Sequence, residues 1–180
     1  MYLEWYLREK EGAEKSLEET VVDLLVRCGY SVTTAESCTG GLIAGTLVNV
    51  AGASDVFREG YVTYSNEAKE KLVGVSHETL ETYGAVSGQT AGEMARGAAA
   101  AAGAEAALSS TGIAGPGGGT KEKPVGLVYI GCFLKGKTVV KECRFSGSRM
   151  ENRLHTVETA LSMLKEELEK LLGESACPEK

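Results

Sequence analysis

Between Ser31 and Leu42 the chain changes its hydrophobic period, and that change constrains the fold more than any other stretch. Ser31-Val32-Thr33-Thr34-Ala35 is a run of strand formers, whereas Gly41-Leu42-Ile43-Ala44-Gly45-Thr46-Leu47-Val48-Asn49-Val50 follows a helical pattern. Glu36-Ser37-Cys38-Thr39 must therefore turn a strand into a helix. The first N–H groups of a helix have no partner within it, and its dipole favours negative charge there. Such a turn can hold an anion or an activated hydroxyl. Ser and Thr are also ordinary N-caps, so this stretch alone leaves Ser37 and Thr39 open to either role.

The same switch of period recurs along the chain. Leu17, Val21, Leu24, Leu25 and Cys28 share one helical face, with Ser16 as its cap and Gly29 as its stop. Phe57–Tyr64 reads as a second strand, followed by a short helix after Ser65-Asn66 and another from Ser76 to Tyr83. Ser87 opens a helix that runs into the alanines at 98–102, whose small side chains suit close packing on a sheet. Ala104–Ser110 reads as a buried strand, although pattern alone also permits a helix. Val125–Phe133 and Val139–Phe145 form a hairpin about Lys135-Gly136-Lys137, and a long amphipathic helix runs from Arg149 to Leu172. This order predicts a single-domain α/β fold: a three-layer α/β/α sandwich with a mixed sheet over residues 15–172. Residues 1–14 read as an N-terminal extension and 173–180 as a polar tail.

Composition narrows the function classes. A formal net charge of −6 argues against a nucleic-acid or anionic-membrane surface. No run approaches the roughly 18 apolar residues of a membrane span, and the N-terminus lacks the pattern of a secretory signal. The expected location is cytoplasmic. The five cysteines contain no C-x-x-C pair, so metal-site spacing is absent and free thiols are expected. With only His77 and His155 present, acid–base chemistry falls to lysine, tyrosine or a carboxylate.

Three loci, each following a predicted strand, can carry chemistry, and ligands in open α/β sheets bind outside strand carboxyl ends. The first is Ser37-Cys38-Thr39. The second is Tyr64-Ser65-Asn66-Glu67-Ala68-Lys69, where a lysine desolvated by burial can act as a base; a solvated lysine beside Glu70 and Lys71 is the plain alternative. The third is Thr111-Gly112-Ile113-Ala114-Gly115-Pro116-Gly117-Gly118-Gly119-Thr120. It matches neither the P-loop nor the dinucleotide fingerprint, yet its glycines can bring N–H groups close to phosphate oxygens. Arg149 and Arg153, one helical turn apart, can grip a phosphate or carboxylate or simply be solvated.

Thr33–Gly41, Tyr64–Lys69, Gly84-Ala85-Val86-Ser87, Thr111–Gly118 and Lys123-Pro124-Val125-Gly126 together resemble the CinA C-terminal domain family, in consistent order over residues 15–170. That family includes stand-alone nicotinamide mononucleotide deamidases and the C-terminal domains of larger competence/damage-inducible CinA proteins, whose separate N-terminal domain this chain has no room for. The resemblance implies hydrolysis of the nicotinamide mononucleotide carboxamide to nicotinate mononucleotide and ammonia, with no cofactor and no metal. It implies Ser37 as nucleophile, Lys69 as general base, and Tyr64 as the residue that orients Lys69 or relays its proton. Amides at the start of the following helix would then hold the oxyanion, with Thr39 as the cap. Thr39, Gly40, Thr111, Gly112, Gly115, Gly117, Gly118 and Arg149 are the residues it points to for substrate and phosphate. The late motif departs from the family pattern, with Ser148 before Arg149 where relatives often carry Asp.

Two other readings belong beside the amidohydrolase. A catalytically silent nucleotide-binding or interaction domain needs the glycine loop but not Ser37 and Lys69 together. A thiol nucleophile at Cys38 is the third, since a helix N-terminus can lower a thiol pKa. The expected partners are a small nucleotide substrate and a second copy of the chain in a homo-oligomeric dimer, with no nucleic acid and no membrane.

Overall fold

A computed structural model describes residues 15–175, so the extension at 1–14 and the last five residues of the tail lie outside it. Helix α1 (Leu17–Cys28) begins with a capping box: Ser16 Oγ accepts from Glu19 N, and the Glu19 carboxylate accepts from Ser16 N. Gly29, at φ 67°, closes it. Strand β1 (Val32–Glu36) and helix α2 (Leu42–Val48) follow, then a short 3₁₀ turn at Ala53–Asp55 and strand β2 (Tyr61–Val62). Helices α3 (Asn66–Val73), α4 (His77–Tyr83) and α5 (Gly88–Ala102) each start from a serine whose hydroxyl accepts a first-turn amide: Ser65, Ser76 and Ser87. Strands β3 (Ala106–Gly112), β4 (Leu127–Leu134) and β5 (Lys137–Arg144) lead into helix α6 (Arg149–Ser175), which continues past the predicted end at Leu172.

The sheet has the order β2-β1-β3-β4-β5. β1 runs parallel to both β2 and β3, and the β3–β4 and β4–β5 pairs are antiparallel. Alternate side chains enter opposite layers, as strand geometry requires. Val32, Ala106 and Leu108 join one core with α1, α2 and α6, whereas Ala35 and Ala107 join the other with Val73, Leu80, Met94 and Ala98. Fully buried Leu25, Ile43, Leu161 and Leu164 anchor the first layer, at about 1.5–3 kcal/mol each. The three-layer sandwich with a mixed sheet is thus the fold of the chain.

One expected strand is shortened. Of Phe57–Tyr64 only Tyr61–Val62 pairs as a strand, and Phe57 makes a single bridge to Val32. Side chains of β1 displace the ladder between them. Thr33 Oγ1 donates to Glu59 O at 2.8 Å, and Gly60 lies so close to Thr34 that a Cβ there would stand 2.7 Å from its Oγ1.

Candidate active site

The parallel strands end on one side of the sheet, and the residues that follow them meet there. Pairing continues one step beyond β1: Ser37 N donates to Ser110 O at 2.9 Å, and Thr63 N donates to Glu36 O at 2.8 Å. Ser37 is thereby fixed between its two neighbouring strands. Its cleft, of about 260 Å³, is lined by Ser37, Cys38, Tyr64, Lys69, Thr111 and Arg149, among others.

Lys69 projects from α3 into this cleft and is 1% exposed. Its Nζ donates to Thr63 O at 2.9 Å and stands 3.2 Å from Ser37 Oγ. Burial pushes the Lys69 ammonium below the ordinary lysine value, against the opposing influence of Cys38 and Glu67. A neutral amine at this position would keep its bond to Thr63 and could offer its lone pair to the Ser37 hydroxyl proton. That is the geometry of a hydroxyl nucleophile paired with an amine base.

Two expectations about the turn are corrected. Thr39 does not cap α2: its Oγ1 lies 2.6 Å from Ser110 Oγ, and Thr39 is fully buried. The cap is Glu36, whose buried carboxylate accepts from Gly41 N (2.9 Å), Ile43 N (3.0 Å) and Ala44 N (2.8 Å). The helix-start amides are therefore already bonded and are not open to an oxyanion. Among the described residues, the N–H groups of Cys38, Thr39 and Gly40 donate to no other residue.

Tyr64 is 61% exposed, and its hydroxyl accepts from Arg149 Nη2 at 3.0 Å; the Thr63 carbonyl is what orients Lys69. Arg149 Nη1 donates to Gly115 O at 2.8 Å, so this side chain bridges the glycine loop to the rim opposite. Of the loop, Thr111, Gly112 and Ala114 line the cleft, while Gly115, Gly117 and Gly118 do not, and neither do Thr39 and Gly40. Part of the glycine content answers to packing. A Cβ on Gly112 would stand 2.6 Å from Leu127 O, and one on Gly119 would stand 2.8 Å from Val125 N. The Gly115–Pro116 peptide is cis. Lys123 ties the far end of the loop to α4 by donating to Tyr83 O at 2.9 Å.

Four further residues complete the site. Glu36 and Thr63 are named above; neither residue type signals such a role, and only the neighbouring motif letters hint at it. Asn152 is 1% exposed, takes Gly147 N on Oδ1 and donates to Ala114 O and Gly147 O, joining α6 to the loop. Arg153, left open by sequence, bonds backbone: Nε donates to Cys38 O at 3.1 Å and Nη2 to Thr39 O at 2.6 Å.

Other candidates fall away on position. Cys38 is 6% exposed and burial pushes its thiol up to about 11, the opposite of an activated nucleophile. His77 pairs with Glu70 on the surface and His155 stacks on Phe145, both outside the cleft lining. Among the described residues no group of three or more His, Cys, Asp or Glu side chains could hold a metal. None of their helices is long and apolar enough to cross a membrane. A second cleft, of about 410 Å³, lies at the opposite end of β1 and β3, but its Glu105 carboxylate is taken by Ser31 N and Oγ, both at 2.9 Å.

Comparison with known proteins agrees with this architecture. The sequence model of the CinA C-terminal domain matches residues 14–168. A CinA-like protein of Kosmotoga olearia is 53% identical over 172 residues, covering 92% of this chain and 42% of its own length. The chain thus spans less than half of that relative. The crystal structure of the competence/damage inducible protein CihA from Agrobacterium tumefaciens is 48% identical, with a TM-score of 0.78 over 86% of this chain and 97% of that one. A CinA superfamily protein from Klebsiella pneumoniae superposes with a TM-score of 0.83 at 36% identity, covering 86% and 96% of the two chains. The chain belongs to the CinA C-terminal domain family.

Proposed function

We propose that the cleft hydrolyses the carboxamide of nicotinamide mononucleotide, giving nicotinate mononucleotide and ammonia. The observation that carries this reading is the 3.2 Å approach of Lys69 Nζ to Ser37 Oγ beneath an open cleft. Lys69, neutral, takes the Ser37 proton as Oγ attacks the amide carbon. The resulting oxyanion collapses, the C–N bond breaks, and Lys69 returns its proton to the departing ammonia. Water then attacks the acyl ester with Lys69 again as base, and Ser37 leaves with a restored proton. A pyridinium ring above Lys69 adds a positive charge that favours the neutral amine.

Arg149, Thr111, Gly112 and Ala114 line the cleft, which supports them as the groups that receive the phosphate in this reading. Gly117 and Gly118 serve the loop rather than the ligand in this reading. The chemistry needs no metal.

Incubation of the purified protein with nicotinamide mononucleotide in the presence of a chelator is the direct test. Equal amounts of ammonia and nicotinate mononucleotide are expected. Their absence at high protein concentration rejects the reading in favour of a silent nucleotide-binding domain.

A further inference from the structure

A buried hydroxyl that bonds to nothing is costly in a folded protein, so each one asks for a reason. Among the described residues the buried side-chain oxygens without a hydrogen-bond partner are Thr63 Oγ1 and Thr138 Oγ1. Thr138 lies on β5, at the opposite edge of the sheet from β2. Thr63 is 0% exposed, and its carbonyl is the group that holds Lys69 Nζ at 2.9 Å. Its side chain also faces the layer from which Lys69 comes. On β2, Val62 points toward α2, where a Cβ on Gly41 would stand 3.8 Å from its Cγ2. Tyr61 packs on the other face, with Val73 of α3 and Leu80 of α4. Thr63 N continues the pairing to β1, and alternation puts its side chain on the face of Tyr61, the one that α3 covers.

The hydrogen bonds of Lys69 show the complementary deficit. A neutral amine has two N–H donors and a lone pair, whereas an ammonium has three donors. Lys69 Nζ has two partners, Thr63 O and Ser37 Oγ. Lys69 is 1% exposed, and a substrate over Ser37 fills the cleft above it. Once Lys69 has taken the Ser37 proton, its third N–H needs an acceptor. The unpaired hydroxyl belongs to the residue that already holds it.

We propose that Thr63 is a positioning residue whose hydroxyl accepts the third hydrogen bond of the Lys69 ammonium formed as Ser37 gives up its proton. The proposal rests on the reading of Lys69 as base to Ser37. A turn about χ1 exchanges the methyl and hydroxyl of Thr63 within the space the side chain already fills. The proton passes from Ser37 Oγ to Lys69 Nζ and on to the departing ammonia, and Thr63 keeps its own. Because the bond exists only with the protonated amine, it favours the transition state over the resting enzyme. The other groups that bear on the Lys69 charge are Cys38 after β1 and Glu67 on α3, with Tyr64 and Arg149 lining the same cleft.

The test compares wild type with Thr63→Val, which deletes the hydroxyl at nearly constant shape, and Thr63→Ser, which keeps it. The readouts are the pH–rate profile on nicotinamide mononucleotide, the pH at which the Lys69 Cε NMR resonance titrates, and thermal unfolding. The resonance is assigned by its loss in Lys69→Met. In Thr63→Val, kcat on the high-pH plateau is expected to fall about 10-fold, the size of one hydrogen bond to a charged group, with KM within about twofold of wild type. Both the rising limb and the resonance are expected to move to lower pH by about one unit, since a bond to the ammonium is lost. Thr63→Ser is expected to restore rate and limb. Above the limb, Thr63→Val should unfold at or above the wild-type temperature, because it buries one polar group fewer.

Wild-type turnover with an unmoved limb and resonance in Thr63→Val overturns the proposal and leaves the hydrolase reading standing. A slower Thr63→Val whose titration does not move, or a loss that Thr63→Ser shares in full, makes Thr63 merely structural and also overturns it. A wild type without turnover rejects the hydrolase reading. The resonance then still decides whether Thr63 bonds the Lys69 ammonium, and an unmoved titration in Thr63→Val rejects that contact too.

Discussion

Ser37 Oγ and Lys69 Nζ stand 3.2 Å apart, one on the turn after a central strand and the other on a helix capped at Ser65 beside the same cleft. Burial lowers the Lys69 pKa below its ordinary 10.5, so the folded and unfolded chains hold its proton over different pH ranges. Only the neutral amine can take the Ser37 proton, so turnover should rise with pH through that lowered value. Lys69→Met should abolish turnover and remove that limb. A pH–rate profile of wild type that is flat from pH 6 to 10 sinks the amine-base mechanism.

The same shift has a stability consequence with a definite sign. Between the folded value and 10.5 the unfolded chain binds a proton that the folded chain lacks, so stability rises with pH. Lys69→Met lacks this dependence. The variant should match or exceed wild type in stability at pH 7, and wild type should gain on it as pH approaches 10. Urea titrations of both proteins at several pH values provide the measurement; a gap that widens in favour of Met would contradict the assignment.

Glu36 caps α2 from inside the sheet, and its three acceptor bonds make it a strong contributor to stability. Glu36→Ala leaves those amides and a cavity, for an expected loss of about 2–4 kcal/mol. Thr39→Val, by contrast, should keep α2 capped. Equal stability of Glu36→Ala and wild type in denaturant would reject the capping role.

Arg149 links Gly115 O to the Tyr64 hydroxyl across the cleft. Arg149→Ala is expected to raise KM for the nucleotide by about 10–100-fold, the range of a charge-assisted hydrogen bond, and to leave KM for the unphosphorylated riboside unchanged. Equal effects on both substrates would remove Arg149 from phosphate recognition.

The loop's glycines divide by what a side chain would meet. Gly112→Ala drives a Cβ to 2.6 Å from Leu127 O and should destabilise by about 1–3 kcal/mol. Gly117→Ala meets nothing within 4 Å and should be neutral, or more stable by about 0.4–1 kcal/mol. Thermal unfolding of the two variants separates them.

What could be read from the sequence was local. The serines at 16, 65, 76 and 87 cap helices because each lies directly before a periodic run, and the amide it accepts is three residues away. Lys135 and Gly136, both at positive φ, make the tight turn that the hairpin pattern predicts. Ser37 and Lys69 were legible as candidates because each sits beside a strand end. What stayed hidden depends on partners remote in sequence. Thr39 looks like a cap, but Glu36 outcompetes it with a carboxylate that the sheet holds under the helix start. The second strand looks longer than it is because Thr33 and Thr34 of β1 reach into its backbone. Arg153 reads as a solvated or phosphate-gripping residue until the docking of α6 brings it to the Ser37 turn.

The guanidinium of Arg153 and the carbonyl of Cys38 are 115 positions apart in the chain. A ribosome adding about 5–20 residues per second needs roughly 6–23 s to make that stretch. For that interval a growing chain carries Ser37 and, soon afterwards, Lys69, while Arg149, Asn152 and Arg153 do not yet exist. The Ser37 turn is made early and braced last. A chain that stops short of α6 is thus not a weaker version of this protein: it holds Ser37 and Lys69 without the side chains that shape their surroundings.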